Sequence, residues 1–253
     1  FILGISYDSE KAKKLNKQIF ETIYFGALEA SMELAKEKGA YSSFKGSPLS
    51  EGKLQFDMWK NALPSNLWNW EKLRENIKKY GVRNSLTTAC MPTASTSIIL
   101  GNTETFQIQT SNIYKRQTLS GEFLLVNRHL VLELSKRNLW DKKMRDNIVL
   151  QNGSVQNIPN FPEDLKEIYK TVWETSQRTV IDMASDRAPF IDQTQSMNLW
   201  LSNPTFGKVN SMHMYAWKKG LKTGMYYLRS RSAVDAVKVT VSSEKMAKEN
   251  FLN

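Results

Sequence analysis

Four hydroxyl side chains lie close together in the run CMPTASTS, which extends from Cys90 to Ser97. Ile98 to Leu100 and then Gly101 follow it, a pattern typical of a turn that leads from a strand into a helix. The first backbone N–H groups of a helix have no partner within it and carry a partial positive charge. Together with Ser and Thr hydroxyls, these groups suit a phosphate or a carboxylate. The sequence therefore indicates an anion-binding turn, with a simple N-cap at Ser95 or Thr96 as the alternative.

The chain before this turn is predicted to start with a long helix. Asp8 or Ser9 provides its cap, and the helix is expected to end near Lys38, before Gly39. Its predicted buried face consists of apolar residues at three- and four-residue spacing, namely Leu15, Ile19, Ile23, Ala27, Ala30 and Leu34. Residues 41–65 are then expected to form a packed loop, because aromatic side chains occur along it.

The remaining elements alternate between helix and strand signals. Predicted helices occupy residues 69–80, 127–138, 141–151, 162–186 and 205–219, and predicted strands occupy residues 82–89, 189–192, 197–201 and 223–229. The strand at 82–89 would deliver the hydroxyl turn. Such alternation favours an α/β fold with parallel crossovers. Residues 1–231 are expected to form the folded part, and the polar tail at 232–253 is expected to be frayed.

Composition limits the class of protein. The 253 residues carry a formal net charge of +10, from 35 Lys and Arg against 25 Asp and Glu. The basic residues are dispersed among acidic ones, and no clustered stripe of them indicates nucleic-acid binding. Cys90 is the only cysteine and only two histidines occur, so neither a disulfide framework nor a metal site is predicted. No apolar run suits a membrane span and no leader opens the chain, so we expect a soluble, cytoplasmic protein.

Several segments together resemble one known family. They are Leu15 to Tyr24, Met91 to Thr96, Thr110 to Tyr114, Leu119 to Phe123, Phe190 to Gln193 and Gly220 to Arg229. In this order they resemble the large, catalytic subunit of class I ribonucleotide reductase, of the eukaryotic and viral type. The resemblance covers residues 11–231 and implies an α/β fold, the C-terminal half of that family's ten-stranded barrel with flanking helices. Since the chain opens on the apolar run FILG, it is expected to be a piece of a larger protein.

The resemblance also implies roles for named residues. Thr93, Ala94, Ser95 and Thr96 match the positions that hold the diphosphate of a ribonucleoside diphosphate. Tyr226 and Tyr227 match the tyrosine pair that relays a radical from the partner subunit towards an active-site cysteine. The whole enzyme would reduce ribonucleoside diphosphates to deoxyribonucleoside diphosphates for DNA replication. It would use a radical-generating small subunit with a di-metal centre and tyrosyl radical, a thioredoxin or glutaredoxin reductant, and ATP or dNTP effectors bound outside this segment.

The chain departs from the family pattern in its thiols. Cys90 falls where the family usually has Pro, so it is expected to be a small buried residue and not the radical site. The isolated chain is therefore predicted to be inactive, to bind no cofactor itself, and to need the missing N-terminal part of the subunit. Half a barrel would also leave sheet edges and apolar surface exposed. Two alternatives stay open: a non-catalytic nucleotide-binding or assembly module derived from that subunit, and a basic nucleic-acid binder.

Overall fold

The computed structural model describes residues 1–60 and 62–231, apart from the side chains of residues 116–118. The tail predicted at 232–253 lies outside the described residues. Eight helices and four strands occur in the described ranges. The helices are α1 Glu10–Lys38, α2 Trp70–Tyr80, α3 Ala94–Leu100, α4 Arg128–Lys136, α5 Lys142–Leu150, α6 Glu163–Ile168, α7 Gln177–Arg187 and α8 Phe206–Lys218. The strands are β1 Ile113–Thr118, β2 Gly121–Val126, β3 Asn198–Trp200 and β4 Tyr227–Arg229.

Helix α1 has the predicted ends. The Ser9 hydroxyl accepts from the N–H of Ala12 at 3.2 Å, which satisfies one free donor of the first turn. At the other end Gly39 adopts φ 79°, and its N–H donates to the carbonyl of Ala35 at 2.9 Å. A glycine takes this positive φ without the penalty that a Cβ would bring.

The predicted buried face of α1 is wrong. Ile19, Ile23 and Leu34 are 45%, 50% and 39% exposed. The buried face instead carries three aromatic residues, Phe20, Tyr24 and Phe25, which pack in one core with Leu28 and Met32. This core also includes side chains of α2 and of the loop between α1 and α2. Because aromatic side chains bury more apolar area than the Ile and Ala positions, they determine which face turns inward.

A second core lies beneath an antiparallel hairpin. Strands β1 and β2 pair in the register Ile113 with Val126, and the two-residue loop Leu119–Ser120 joins them. The hairpin's Ile113 packs with side chains of α4, α5 and α6. No strand was predicted here because most residues of β2 are exposed, so the chain lacks the alternation that marks a half-buried strand.

A third core is built around a parallel crossover. Strands β3 and β4 are parallel neighbours, with Asn198 opposite Tyr227, and α8 connects them. The parallel crossover predicted from the alternating pattern is thus confirmed, as is the helix predicted at 205–219. Within the described residues the strands form two two-stranded sheets and no closed barrel. No helix in these ranges combines the length and apolar character that crossing a bilayer requires.

Three predicted elements are wrong. Residues 82–89 form no strand, and only an isolated parallel bridge joins Cys90 to Gln195. Residues 189–192 lie partly in a 3₁₀ turn, Ala188–Phe190, because Pro189 cannot donate to a strand ladder. The helix predicted at 162–186 is two helices, α6 and α7. Between them the N–H of Val172 donates to the carbonyl of Gln109 at 3.0 Å, a tertiary contact that draws the backbone away from the helix.

Candidate functional site

The segment that leads into the hydroxyl turn is held by a carboxylate from another part of the chain. Asp192 Oδ2 accepts from the N–H of Thr87 at 2.7 Å, from its hydroxyl at 3.0 Å and from the N–H of Thr88 at 3.2 Å. Lys222 Nζ in turn donates to the carbonyls of Asp192 and Ile191, at 2.7 and 3.2 Å. Three segments far apart in sequence therefore meet just before the turn.

Cys90 begins the turn and is buried, as predicted. The Cys90 carbonyl accepts from the N–H of Ser196 at 3.0 Å, which ties the turn to the segment preceding β3. Burial raises the pKa of the Cys90 thiol, and the nearby Arg187 guanidinium opposes this only in part. A protonated, enclosed thiol is a packing group, since the thiolate is the reactive form.

The N-cap interpretation of Ser95 or Thr96 is wrong. Thr93 occupies the cap position, and α3 begins at Ala94, so Ser95 and Thr96 lie inside its first turn. Thr93 makes no side-chain cap hydrogen bond. Its N–H and its hydroxyl instead both donate to the carbonyl of Glu104, at 3.0 and 3.3 Å. The turn is therefore closed onto the segment that follows α3.

The four hydroxyls divide into two classes. Thr93 is engaged with Glu104, and the buried Ser97 hydroxyl donates to the carbonyl of Ala94 at 3.0 Å. Ser95 and Thr96 are exposed, and their hydroxyls contact no polar group within the described ranges. Among the same residues, nothing accepts from the N–H groups of Ala94, Ser95 and Thr96. Three backbone donors and two hydroxyls thus face solvent over a single turn, an arrangement that can bind an anionic group.

The predicted tyrosine pair is in ring contact. The Tyr226 and Tyr227 centroids are 4.3 Å apart at an interplanar angle of 58°, and both rings are about half exposed. The N–H of Tyr226 donates to the carbonyl of Met197 at 2.7 Å, so the edge of β3 fixes the backbone of the pair. The neighbouring Tyr227 hydroxyl raises the pKa of Tyr226, and the Glu104 carboxylate adds to the effect.

Glu104 and Arg229 join the turn to the tyrosine pair. The Arg229 guanidinium lies over the Tyr227 ring, with Cζ 4.8 Å from the centroid. Arg229 Nη2 is also 3.8 Å from Glu104 Oε2, on the residue whose carbonyl holds Thr93. Neither side chain was predicted from the sequence to belong to the site. Arg229 closes the last of the family-like segments, and that position is the only signal that could have indicated it.

A second set of contacts runs beside the first. Gln107 Oε1 accepts from the hydroxyl of Thr105 at 3.0 Å and from Nδ2 of Asn198 at 3.2 Å. Asn198 is buried opposite Tyr227, and its Oδ1 has no partner within the described residues. The segment after α3 therefore contacts both strands of this sheet, β4 through Glu104 and Arg229 and β3 through Gln107 and Asn198.

A cavity of about 910 Å³ opens beside the turn. Its walls include Cys90 and Gly101 from either side of the turn, and Ile19 and Ile23 from the exposed face of α1. Thr93 to Thr96 and the tyrosine pair do not line it. No group of three or more His, Cys, Asp and Glu side chains in the described ranges is placed to hold a metal ion.

Comparison with known proteins agrees with the resemblance. A family model described as "Ribonucleotide reductase, barrel domain" matches residues 1–227. The ribonucleoside-diphosphate reductase large subunit of Dictyostelium discoideum is 59% identical over 94% of this chain, and large chain 2 of Saccharomyces cerevisiae is 57% identical over 96%. The chain spans 28% of the length of each of these relatives.

A solved structure shares the fold. The class Id ribonucleotide reductase alpha subunit of Actinobacillus ureae superposes with a TM-score of 0.68 at 30% identity, over 92% of this chain and 36% of that chain. The family predicted from the ordered motifs is thereby confirmed. Because the family model matches nearly the whole chain, the chain belongs to the ribonucleotide reductase family and corresponds to its barrel domain.

Proposed function

We propose that this chain supplies the diphosphate-binding turn and the tyrosine pair of a ribonucleoside-diphosphate reductase large subunit. The whole subunit would reduce ribonucleoside diphosphates to deoxyribonucleoside diphosphates for DNA replication, in the cytoplasm. One observation carries the proposal: the turn at Thr93 and the pair at Tyr226 and Tyr227 are joined through Glu104 and Arg229. A substrate site and a radical relay need to be near each other, and the contacts between the turn and the tyrosine pair support assigning these two roles to them.

In this proposal the first turn of α3 binds the diphosphate. The N–H groups of Ala94, Ser95 and Thr96 donate to phosphate oxygens, and the hydroxyls of Ser95 and Thr96 add two donors. Hydrogen bonds to a charged acceptor are shorter and stronger than those between neutral groups. Donors that are already positioned by the helix lose little freedom when the ligand arrives.

The tyrosine pair carries the radical in the same proposal. A phenol can give up an electron and a proton together, so charge need not build up along the path. The 4.3 Å separation of the two rings allows a short transfer step. A radical-bearing small subunit would bind where the pair is exposed, and the thiols of the reaction would come from the rest of the large subunit. The chain alone is therefore expected to bind a nucleoside diphosphate without turnover.

Calorimetric titration of the chain with CDP and with cytidine tests the binding site. We expect CDP to bind and cytidine to bind far more weakly, because the donors recognise the diphosphate. Ala94→Pro removes one backbone donor at the first helical position, where proline fits a helix. This variant is expected to lose about tenfold in CDP affinity, the size of one hydrogen bond to a charged group. Ala94→Ser keeps the N–H and is the matched control.

Mixing experiments separate an enzyme part from a non-catalytic module. The chain is combined with the preceding part of a relative's large subunit, a small subunit and a reductant, and formation of dCDP is measured. Recovered reduction supports the proposal. CDP binding by the mixture with no dCDP formed would instead favour the nucleotide-binding module.

A further inference from the structure

We infer that His213 is a positioning residue that keeps the two rings of the tyrosine pair in contact. The inference rests on the proposed function, because the contact matters for the reaction only if the pair carries the radical. The His213 side chain acts on the pair through Gly224, which lies two residues before Tyr226.

The imidazole of His213 packs directly on the backbone of Gly224. The three heavy atoms nearest to the point where a Cβ at position 224 would stand all belong to this ring. That Cβ would lie 3.0 Å from Cε1 of the ring, and closer still to Nδ1. Gly224 does not adopt the positive φ that favours glycine, so the close approach of the ring is what requires a glycine here.

The backbone between α8 and β4 has few other restraints around Gly224. The next anchor along the chain is the N–H of Tyr226, whose hydrogen bond at the edge of β3 is 2.7 Å long. Residues 223–225 make no hydrogen bond to the part of the chain that the structure describes. Met225 packs against the third core, and the His213 ring supplies the restraint on the residue before it.

The rings of the pair depend on this backbone because little else holds them. Tyr226 and Tyr227 are 49% and 47% exposed, and among the described residues the ring of Tyr226 contacts only the ring of Tyr227. A rotation of the backbone at Gly224 would therefore swing the Tyr226 ring away from its neighbour. His213 itself is held in place by α8, which the buried Ala216 anchors in the third core.

Fluorine NMR of the whole chain carrying fluorotyrosine measures the ring contact. The measured quantity is the change that Tyr227→Leu causes in the Tyr226 resonance, because removal of a touching ring alters the magnetic field at its neighbour. Tyr226→Phe assigns that resonance among the nine tyrosines. We expect His213→Ala to remove most of this change. His213→Phe keeps a flat ring on Gly224 and is expected to restore it.

Two glycine substitutions form a matched pair. Gly224→Ala places a methyl group against the His213 ring and is also expected to remove most of the change. Gly207 lies on the same helix as His213, and a Cβ there would meet nothing within 4 Å, so Gly207→Ala is expected to leave the change as in wild type. When His213→Ala is already present, the methyl group at position 224 enters vacated space, so Gly224→Ala is expected to have a smaller effect than it has alone.

The resonances of Tyr24 and Tyr169 report on folding, since these two residues belong to different cores. A variant in which both resonances match wild type is folded. A folded His213→Ala variant in which Tyr227→Leu keeps its full effect would overturn the inference. If His213→Ala does not fold, Gly224→Ala decides in its place.

Equal losses in Gly224→Ala and Gly207→Ala would also overturn the inference, because the effect would then not depend on contact with the His213 ring. The radical relay is tested separately, by dCDP formation in the reconstituted enzyme. The ring contact can therefore fail its test while the assigned role of the pair stands, and the reverse.

Discussion

Thr93 donates both its N–H and its hydroxyl to one acceptor, the carbonyl of Glu104, at 3.0 and 3.3 Å. A threonine hydroxyl has a single proton, so this contact uses the proton that Thr93 would otherwise offer to a ligand. Thr93 therefore closes the turn, and the exposed residues of the first turn of α3 are left to meet an anion.

Because Thr93 closes the turn while Ser95 and Thr96 are free, substitutions at these positions are expected to weaken CDP binding to different extents. Ser95→Ala and Thr96→Val each remove a free hydroxyl and are expected to weaken CDP binding by about tenfold, the size of one hydrogen bond to a charged group. Thr93→Ala removes a hydroxyl whose proton is already engaged, so its direct effect on binding is expected to be smaller. Titration calorimetry of the three variants measures the order. Equal losses for all three would contradict the assignment.

Arg187 is expected to be a strong determinant of stability. Its side chain is 2% exposed, donates to Gln195 at 2.6 Å and to Asn16 at 3.4 Å, and lies over the rings of Phe20 and Phe106. Arg187→Met removes a buried guanidinium and leaves two partly buried amide oxygens with fewer donors, so it should cost about 3 kcal/mol of unfolding free energy in urea. The control is Arg137→Met, on an exposed pair with Asp164, where only a small loss is expected. Similar losses of unfolding free energy in the two variants would show that the burial of Arg187 does not determine its contribution to stability.

Two acids one turn apart on α7 should affect stability with opposite signs. Burial raises the pKa of Asp186, with the neighbouring Asp182 adding to it. Burial opposes ionisation of Asp182 too, but hydrogen bonds from Tyr215 and Lys219 outweigh it, and its pKa is lowered. The folded chain thus disfavours the charge on Asp186 and favours the charge on Asp182.

The sign of each effect follows from linkage between proton binding and folding. Asp186 destabilises the fold once pH rises through its folded pKa, so Asp186→Asn should raise the melting temperature at pH 7 and lose this advantage below about pH 4. Asp182 stabilises the fold above its unfolded pKa, and this contribution is lost as pH falls through the lower folded pKa. Asp182→Asn should therefore lower the melting temperature at pH 7. Thermal unfolding across this range checks both, and shifts of the same sign would refute the assignment.

The lone thiol is expected to react slowly. Cys90 is 8% exposed and burial raises the pKa of its thiol, so little thiolate is accessible near neutral pH. Alkylation with iodoacetamide at pH 8 should be much slower for the folded chain than for the chain in urea. Mass spectrometry follows the rate, and the free thiol of a short unstructured peptide is the reference. A folded-state rate equal to that reference would mean that the turn opens readily.

Local signals in the sequence predicted the helix ends well. Ser9 and Gly39 fulfil the capping roles expected of them, because such caps depend on only a few neighbouring residues. Tertiary contacts decided the elements that were missed. The segment at 82–89 has strand-like composition, but the carboxylate of Asp192 takes its free N–H groups at Thr87 and Thr88. A partner more than 100 positions away leaves no trace in local periodicity.

The sequence predicted the turn and the tyrosine pair as separate features, and it did not predict how they lie relative to each other. The ordered motifs identified the turn and the tyrosine pair, but nothing in their spacing placed Glu104 between them. The contact of Glu104 with Arg229 joins two segments that are far apart in the sequence, an arrangement that the sequence pattern did not specify. The wrong face predicted for α1 has a similar cause, since the helix carries two apolar faces and packing selects one.

A chimeric large subunit tests the central claim most directly. In the Dictyostelium discoideum relative, which is 59% identical over the matched region, the corresponding segment is replaced by this chain. CDP reduction is then measured with the small subunit and a reductant. We predict that the chimera forms dCDP, and that Tyr226→Phe or Tyr227→Phe abolishes the product while CDP binding persists. Unchanged dCDP formation in both tyrosine variants, or a folded chimera that binds CDP and forms none, would contradict the account.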